Sequence, residues 1–419
     1  MTTSHVSRIR KGASPLLSIL MLSALALPAC VGPPPEISPA PLPVAKDYAR
    51  PLPPGASALR KVTASPRFRD DRGDRESLKT SVSKSLAYLD KPSSRRFFPV
   101  EGITHEHARR SLLRFAELLD TVSSPTELEQ RLLAEYDVYM SVGCDNQGTV
   151  LFTGYCQPVY TASRQRTATH RYPLYRLPPD LVKDEDGSCL GRRLPDGRIE
   201  PGYPTRRQIE EGNLLAGQEL VWLKDRLEVY IVHVQGSARL ELTDGSEMSV
   251  GYAGRTDHPY RSIGAELIKD GKLSRDNGSL TGIKEYFRKN PQDLDRYLYR
   301  NDRFIFFTQC EGGPYGSLGQ EVTAFRSIAT DKSIFPRASL CFASTRVPEL
   351  TERGVIQRPL DRFVLDQDTG GAIRSPGRCD LFLGTGDDAE RVAGFTYAEG
   401  KLYYLFLKSP PPSLERVSP

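Results

Sequence analysis

The sequence predicts a mainly β protein with helices near its N-terminal end, and it predicts β-barrels rather than a doubly wound sheet. Past residue 140 the chain carries many short apolar or alternating runs broken by turn residues, which is typical of strands. These runs do not alternate with helical patterns, as the strands of a doubly wound sheet would. The 419 residues suffice for two domains with separate cores.

Three helical patterns lie before residue 140. Apolar residues recur at helical spacing from Leu78 to Leu89, and a second pattern begins after Thr104. The third opens with a capping box over residues 124–127, in which Pro125 takes the first helical position. We therefore expect two or three helices in this part of the chain.

The strand patterns occupy most of the chain from residue 149 onward. They cover residues 149–155, 171–178, 219–225, 227–236, 303–307, 338–343, 362–366, 380–384 and 401–407. Asp244-Gly245 is expected to form the two-residue turn of a hairpin. A helical stretch over residues 263–300 interrupts the strands.

The first 30 residues are typical of a secreted bacterial lipoprotein. Basic residues precede an apolar run from Leu16 to Leu27, which is too short to span a bilayer as a helix. The run ends in Leu-Pro-Ala-Cys, which resembles the lipobox in which the cysteine, here Cys30, is acylated and becomes the new N-terminus. An ordinary signal peptide with a chance cysteine is the alternative. We expect a signal peptide over residues 1–29.

A lipidated Cys30 would hold the protein at a membrane surface. Val31 and Gly32 follow it, so no aspartate occupies the second mature position, which favours the outer membrane and its periplasmic face. Residues 30–74 are rich in proline and predict a semi-rigid tether between the lipid and the folded body. The proline-rich residues 409–419 predict a disordered tail.

The charge of the chain does not indicate a nucleic-acid partner. The chain has 57 basic and 52 acidic residues, a formal charge of +5. Three of the basic residues lie in the predicted signal peptide, which leaves 54 against 52 and a mature charge of about +2. No long run of Lys and Arg marks one face as a nucleic-acid footprint.

The six cysteines beyond Cys30 predict at least one disulfide, because the compartment is oxidising. Cys341 and Cys379 are the preferred pair, since both border strand patterns near the C-terminus. The cysteine spacing fits no zinc pattern, and the six histidines do not cluster with the cysteines. His105 and His107 are expected to be solvated at a helix start. We expect no metal and no cofactor.

Residues 367–394 are the most informative segment for chemistry. Acidic residues, among them Asp368, Asp380 and the pair Asp387-Asp388, stand close together among glycines. Glycines allow tight turns and close approach of a ligand, as a cleft for a polymer requires. Asp380 opens an apolar strand pattern, and a carboxylate in apolar surroundings can hold the proton that an acid catalyst delivers. The alternative is that each aspartate only caps a turn.

This segment resembles the signature of the 3D domain in the membrane-bound lytic murein transglycosylase A family. Six upstream segments resemble the family in the same order, so the similarity spans about residues 100–407. They are TGYCQPV (153–159), YPLYRLP (172–178), YPTRRQI (203–209), VHVQGSARLELTDG (232–245), GYAGRTDHPYRSIG (251–264) and GSLGQEVTAFRSIATD (316–331).

The resemblance implies a double-psi β-barrel that is interrupted by a second, inserted β-barrel, with a long cleft between them. The first domain would comprise residues 75–158 and 311–408. The insert would comprise residues 159–310. The family's catalytic aspartate falls on Asp380, and its second acid falls on Asp368.

The implied reaction is cleavage of the β-1,4 bond between N-acetylmuramic acid and N-acetylglucosamine in peptidoglycan strands, with a 1,6-anhydro ring on the product. Asp380 would act as the single acid and base, while Asp368 would position Asp380 or contact sugar. A hydrolase on the same barrel, in which another acid activates water, is the first alternative. The second is a lipoprotein that binds peptidoglycan without cleaving it.

Residues suited to hold sugar lie in the matching segments, although a packing or turn role is the alternative for each. They are Thr153, Tyr155, Gln235, Ser237, Tyr252 and Tyr260. Three positions depart from the family pattern: Cys156-Gln157, Thr256-Asp257 and Phe325, the last of which replaces a common glycine. Phe325 puts the substrate contacts near it in doubt.

Overall fold

The structure, a computed structural model, describes residues 46–70, 74–184, 187–274, 280–352 and 354–408. The predicted signal peptide, the lipidation site Cys30, the first part of the predicted tether and the tail over 409–419 lie outside the described residues. Within the described part, none of the helices combines the length and the apolar character needed to cross a membrane.

Nine α-helices and seventeen strands occur in the described residues. The helices are α1 Arg75–Leu89, α2 His105–Thr121, α3 Pro125–Glu135, α4 Arg206–Glu211, α5 Arg226–Gln235, α6 Ile263–Lys269, α7 Leu280–Lys289, α8 Leu294–Leu298 and α9 Asp387–Phe395. The strands are β1 Leu59–Lys61, β2 Tyr136–Ser141, β3 Val150–Gln157, β4 Val159–Ser163, β5 Tyr172–Tyr175, β6 Leu181–Lys183, β7 Cys189–Arg193, β8 Ile199–Pro201, β9 Glu219–Leu223, β10 Ser237–Leu242, β11 Glu247–Arg255, β12 Ile305–Cys310, β13 Ser327–Ala329, β14 Leu340–Thr351, β15 Gly354–Asp368, β16 Arg378–Thr385 and β17 Tyr397–Leu407.

The first three helices begin at side chains that cap them. Asp74, Thr104 and Ser124 each accept a hydrogen bond from the backbone N–H three residues later, which satisfies one of the free donors at a helix start. The buried faces of these helices share one core with strands β14 and β15.

Six strands close into a barrel in the order β17, β14, β15, β13, β16 and β3, because β3 pairs back onto β17. The neighbours β13–β15 and β16–β3 are parallel, and the other pairs in the ring are antiparallel. Strands β2 and β1 extend the sheet from β17. We call this ring of strands the first barrel.

Strands β4 to β12 interrupt the chain between β3 and β13. Six of them form a separate sheet in the order β12, β11, β10, β4, β9 and β5. A bridge between Arg176 and Phe307 joins the region after β5 to β12, so this sheet also curls into a ring, which we call the inserted barrel. It has its own apolar core, to which Leu174, Val221 and Leu240 belong.

The strand predicted over residues 227–236 is wrong, because these residues form helix α5. The Asp225 side chain caps its start, and Gly236 ends it with a φ of 79°. The helix is buried along most of its length, so its apolar run has no clear helical period and resembles a strand. The two end signals and the packing decided the structure over the local preference of Val and Ile for strands.

The predicted hairpin pairs β10 with β11, and Leu240 lies opposite Met248. Its loop is one residue longer than predicted. Leu242 N–H donates to Ser246 O (2.8 Å), and Gly245 N–H donates to Leu242 O (2.9 Å) with Gly245 at a φ of 83°. A turn followed by a left-handed glycine is the common three-residue hairpin loop.

Part of the predicted tether belongs to the folded body, so that prediction is wrong for residues 46–70. Strand β1 pairs with β2, and the Phe68 side chain is only 1% exposed. The Phe68 ring lies 5.2 Å from that of Phe342 and 5.9 Å from that of Phe363. A few large apolar anchors suffice to bind a proline-rich segment to a core.

The predicted disulfide is absent from the described residues, in which all six cysteines are free. Cys341 lies on β14 and Cys379 on β16, and two strands, β15 and β13, stand between them in the ring. Both thiols are buried in the core of the first barrel, where they pack as small apolar groups.

His105 and His107, which we expected to be solvated, are only partly exposed. A ring nitrogen of His105 lies 2.9 Å from the Leu89 carbonyl oxygen, and one of His107 lies 2.7 Å from the Leu407 carbonyl oxygen. Each histidine therefore ties helix α2 to another element. The described residues contain no group of three or more His, Cys, Asp or Glu arranged to hold a metal.

Candidate active site

One row of paired residues crosses the first barrel and carries both aspartates. Ala329 on β13 pairs with Asp368 on β15 and with Asp380 on β16, and Asp380 pairs in turn with Thr153 on β3. Strands lie roughly 4.8 Å apart, so the two aspartate Cα atoms are about 10 Å apart. Paired residues project from the same face of a sheet, which places the two carboxylates on one surface.

The alternation of strand β16 turns Asp380 away from the barrel interior. Its neighbours Cys379 and Leu381 are buried in the core, and successive side chains of a strand point to opposite faces. The side chain of Asp380 is 21% exposed. The same apolar run that was evident in the sequence therefore anchors the strand and presents the carboxylate outside the core.

The two carboxylate oxygens of Asp380 differ in their contacts. Oδ1 accepts a hydrogen bond from the Thr153 hydroxyl and lies 3.4 Å from a guanidinium nitrogen of Arg378. That nitrogen of Arg378 also donates to the Thr153 hydroxyl at 3.1 Å. Oδ2 accepts no hydrogen bond from the residues that the structure describes. One oxygen is thus held and the other is available to a ligand.

Both oxygens of Asp368 are occupied by the protein itself. Oδ1 accepts from the backbone N–H groups of Ser317 and Thr369, each at 2.8 Å, and Oδ2 accepts from the Tyr155 hydroxyl at 2.9 Å. Burial raises the pKa of Asp368, although these hydrogen bonds favour its carboxylate. Burial likewise raises the pKa of Tyr155, which keeps its hydroxyl protonated and able to donate.

A cavity of about 130 Å³ lies at Asp380 and has walls from both barrels. The first barrel and its following loop contribute Asp380 and residues 370–372. The inserted barrel and its flanking segments contribute Arg206, His233, Val234, Tyr260, Asn301, Arg303 and Ile305. We call this space the Asp380 cavity.

Arg303 is the main cation of the Asp380 cavity. Its Nε donates to the His258 carbonyl oxygen at 2.8 Å, and its guanidinium lies 5.9 Å from the centre of the Tyr260 ring. Burial, together with the guanidinium groups of Arg255 and Arg374, lowers the pKa of Arg303 to about 10. A side chain at Gly371 would collide with this guanidinium, so the glycine lets the two walls approach.

A buried arginine supports the inserted side of the cavity. Arg206 is 1% exposed, and one of its guanidinium nitrogens donates to Arg303 O at 2.7 Å and contacts His233 Nδ1 at 3.2 Å. Burial, and secondarily the Arg206 charge, lowers the pKa of His233 well below its usual value. His233 is therefore neutral, and its Nε2 has no hydrogen-bond partner in the described residues.

The structure brings together some of the sugar-binding candidates and not others. Thr153 and Tyr155 bond to the two aspartates, and Tyr260 lines the Asp380 cavity. Gln235 instead accepts a hydrogen bond from Cys156 N–H at 3.2 Å, which ties α5 to β3. Ser237 is buried on β10.

Tyr252 does not line the Asp380 cavity, and its side chain is 49% exposed on β11. The acidic pair Asp387-Asp388 forms the start of α9 and also lies outside this cavity. Arg303 and Arg378 were not predicted, because no local pattern distinguishes them from other arginines. The glycines at 370 and 371 were the only signal in the sequence for a close approach here.

The three departures from the family pattern have internal roles. Gln157 accepts a hydrogen bond from the Thr385 hydroxyl at 3.0 Å, and Thr256 accepts one from Phe304 N–H at 3.0 Å. Phe325 has a φ of 59°, a left-handed conformation that favours glycine. Its ring packs against the core of the first barrel.

Fold and site together define a two-barrel protein with a carboxylate at the junction of its barrels. Residues 151–308 match the family described as the MltA specific insert domain, and residues 326–406 match the 3D domain.

Relatives and solved structures agree with these matches. The membrane-bound lytic murein transglycosylase A of Escherichia coli K12 is 30% identical over 273 residues, 64% of this chain and 69% of that protein. The Vibrio cholerae protein of the same name is 32% identical over 274 residues, 64% and 68% of the two chains. The chain belongs to the membrane-bound lytic murein transglycosylase A family.

Two solved structures share the fold. The membrane-bound lytic murein transglycosylase from Agrobacterium tumefaciens is 28% identical, with a TM-score of 0.69 over 84% of this chain and 98% of that one. The structure of E. coli MltA with bound chitohexaose is 23% identical, with a TM-score of 0.65 over 88% and 97% of the two chains.

Proposed function

We propose that this protein is a peptidoglycan lytic transglycosylase that cleaves the β-1,4 bond between N-acetylmuramic acid and N-acetylglucosamine and leaves a 1,6-anhydromuramoyl end. The observation that carries the proposal is the asymmetry of Asp380. Thr153 and Arg378 hold Oδ1, whereas Oδ2 has no partner among the described residues and the side chain lines a cavity. A carboxyl group held on one side and open on the other is suited to proton transfer.

In the first step, the Asp380 carboxyl donates its proton to the glycosidic oxygen, and the bond to C1 of the muramoyl unit breaks. In the second step, the Asp380 carboxylate takes the proton of the C6 hydroxyl, and the C6 oxygen attacks C1 to close the anhydro ring. Asp380 ends protonated, as it began, and no water is consumed. One carboxylate suffices because the nucleophile belongs to the substrate and has a high effective concentration.

The contacts of Asp368 support a positioning role for this residue and disfavour the hydrolase alternative. A hydrolase of the ordinary type needs a second carboxylate that is free to activate water or to attack the sugar. Asp368 accepts three hydrogen bonds from Ser317, Thr369 and Tyr155, so its oxygens are engaged. It links the loop that carries Ser317 to strand β3, next to the Thr153 hydroxyl that holds Asp380.

We propose that the sugar-binding wall comes from the inserted barrel. Tyr260 offers a ring, and Arg303 offers donors for hydroxyl or acetamido oxygens. Thr153 and Tyr155 act through the two aspartates. Gln235 and Ser237 hold α5 and β10 in place, and the exposed Tyr252 extends the sugar surface beyond the cavity.

Digestion of purified peptidoglycan sacculi tests the proposal. We expect muropeptides whose muramoyl ends are lighter than a reducing end by one water, as measured by mass spectrometry. Reducing ends would establish a hydrolase instead. Binding of sacculi without any cleavage by the folded protein would establish the non-catalytic alternative.

We also propose that Cys30 is acylated and anchors the protein at the periplasmic face of the outer membrane. The Leu-Pro-Ala-Cys sequence supports this assignment. Mass spectrometry of the mature N-terminus would show a lipidated cysteine, and an unmodified N-terminus at another residue would contradict it.

We propose that the chain has two domains, one of residues 75–158 and 311–408, to which residues 46–70 add strand β1 and Phe68, and one of residues 159–310. The separate sheets and cores of the two barrels support this division. The two parallel strand pairs of the closed ring support a double-psi topology for the first barrel.

A further inference from the structure

A second and larger cavity, of about 560 Å³, lies on the inserted barrel. Its lining includes Arg166, Arg171, Tyr172, Asn213, Glu219 and Trp222. Its volume is within the range of ordinary small-molecule sites. It contains neither of the two aspartates of the candidate active site.

Two aromatic side chains, Trp222 and Tyr172, line this cavity, and each has a guanidinium group beside it. Trp222 on β9 pairs with Pro173 on β5, and Tyr172 pairs with Leu223, so the two aromatic side chains come from neighbouring strands and from opposite faces of the sheet. The Arg166 guanidinium lies 6.0 Å from the Trp222 ring, and that of Arg171 lies 5.8 Å from the Tyr172 ring. These distances allow weak cation–π attraction.

The charges of this cavity have unused binding capacity. Among the described residues, neither Arg166 nor Arg171 forms an ion pair, although Arg164 nearby pairs with Asp244 at 3.2 Å. The Glu219 carboxylate accepts a hydrogen bond from Gly217 N–H at 2.8 Å and has no cation within ion-pair distance in the described part of the chain. The site therefore offers two cations and one anion to a ligand.

We propose that this cavity binds the stem peptide of peptidoglycan, an acidic peptide that also carries an amino group. Its carboxylates would pair with Arg166 and Arg171, its ammonium group with Glu219, and its aliphatic parts would lie on Trp222 and Tyr172. Glu219 disfavours a phosphate or an anionic lipid headgroup, which it would repel. The inference rests on the proposed function, because it assigns the peptide portion of the same polymer to a second site.

The cavity lined by Trp222, which we call the stem-peptide cavity, lies close to the Asp380 cavity. Phe304 lines the stem-peptide cavity, and its chain neighbours Arg303 and Ile305 line the Asp380 cavity. Arg206 lines the Asp380 cavity and pairs at 3.2 Å with Glu210, which lines the other. One buried layer thus separates the place of cleavage from the place where we put the peptide.

The position of Trp222 allows a direct binding test, since it is the only tryptophan of the chain. The free tripeptide L-Ala-γ-D-Glu-diaminopimelate should change the fluorescence of the full protein saturably. The Arg166→Gln/Arg171→Gln variant should bind this probe at least roughly tenfold more weakly, as expected when charge-assisted hydrogen bonds are lost. The Arg164→Gln/Arg198→Gln variant removes the same charge from outside the cavity and should bind as the wild type does.

Titrations with further ligands identify which chemical group causes the fluorescence change. A tripeptide with amidated carboxyl groups, inorganic phosphate and phosphatidylglycerol vesicles should each give little change. A stronger response to phosphate or to vesicles than to the tripeptide would overturn the proposal, and so would equal binding of the tripeptide by the two double variants.

Activity measurements separate this proposal from the proposed function. The Arg166→Gln/Arg171→Gln variant should have a raised KM and an unchanged kcat on peptide-bearing glycan, and wild-type kinetics on peptide-free glycan. Equal losses on both substrates would overturn the peptide site. Absence of cleavage of either substrate by the wild type would contradict the proposed function, whereas the fluorescence titration would still decide whether the peptide binds.

Discussion

The two walls of the Asp380 cavity carry side chains of opposite charge. The first barrel presents Asp380, and Asp368 lies in the same strand row. The inserted barrel and its flanking segments present Arg303 and Tyr260. Under the proposed function, the first barrel moves protons while the insert holds the substrate, so variants in the two walls should affect kcat and KM differently.

The polar groups buried beneath these walls also differ. Inside the first barrel, Lys332 forms an ion pair with Asp366, which also accepts a hydrogen bond from the Tyr404 hydroxyl at 2.8 Å. In the inserted barrel, Arg206 donates to two backbone carbonyl oxygens, contacts the neutral His233 and pairs with the Glu210 carboxylate at 3.2 Å. The first barrel therefore buries both partners of an ion pair, whereas the partner of the buried Arg206, Glu210, is 20% exposed.

Asp380→Asn should have the largest effect on catalysis. The amide preserves the shape of the side chain but cannot deliver or recover a proton, so both proposed steps fail. Loss of a general acid or base costs a factor of roughly 10² to 10⁴. The loss of activity is measured as the release of 1,6-anhydromuropeptides by wild type and variant at equal folded concentration. Near wild-type release by the variant would mean that Asp380 is not the acid.

Lys332→Met should have the largest effect on stability. It leaves Asp366 buried without its cation, and removal of one partner of a buried pair costs about 3–5 kcal/mol. The matched control is Lys84→Met, since Lys84 pairs with Glu321 at the partly exposed surface. That change should cost less than about 1 kcal/mol. Urea denaturation gives both values, and equal losses would contradict the difference between a buried and a surface pair.

Asp368→Asn should reduce cleavage less than Asp380→Asn, by roughly tenfold to a hundredfold, as expected when a positioning contact is disturbed. The variant should also alter the pH dependence of folding. Because burial raises the pKa of Asp368 in the folded state, its contribution to stability falls as the pH rises from the unfolded value through the folded one. In the Asp368→Asn variant, this pH-dependent loss of stability should be absent. A loss of activity as complete as that of Asp380→Asn would instead favour a second catalytic carboxylate.

Replacement of His233 should have the smallest effect, a change in the pH dependence of stability whose sign is opposite to that of Asp368. Its folded pKa is lowered, so the unfolded chain takes up the proton when the pH falls below about 6.5. Stability should then fall as the pH is lowered from 6.5 to 5. His233→Gln retains an acceptor for Arg206 but cannot titrate, so it should flatten this slope in thermal or urea denaturation. An unchanged slope would show that other groups cause it.

Local sequence signals determined much of the fold and the central residues of the site. The side-chain caps at Asp74, Thr104 and Ser124 act within one helical turn, so their effect does not depend on distant residues. The glycine-rich segment with its two aspartates indicated both carboxylates of the row, and the resemblance of that segment to a known family assigned their roles.

Only the tertiary structure decided which side chains meet. Residues 227–236 became a helix because two end signals and a buried position outweighed the preference of Val and Ile for strands. Arg303 and Gly371 lie far apart in the chain, and only the approach of the two barrels brings them into contact. Likewise, the free oxygen of Asp380 and the occupied oxygens of Asp368 follow from strand register and loop position, which depend on long-range pairing that no short segment encodes.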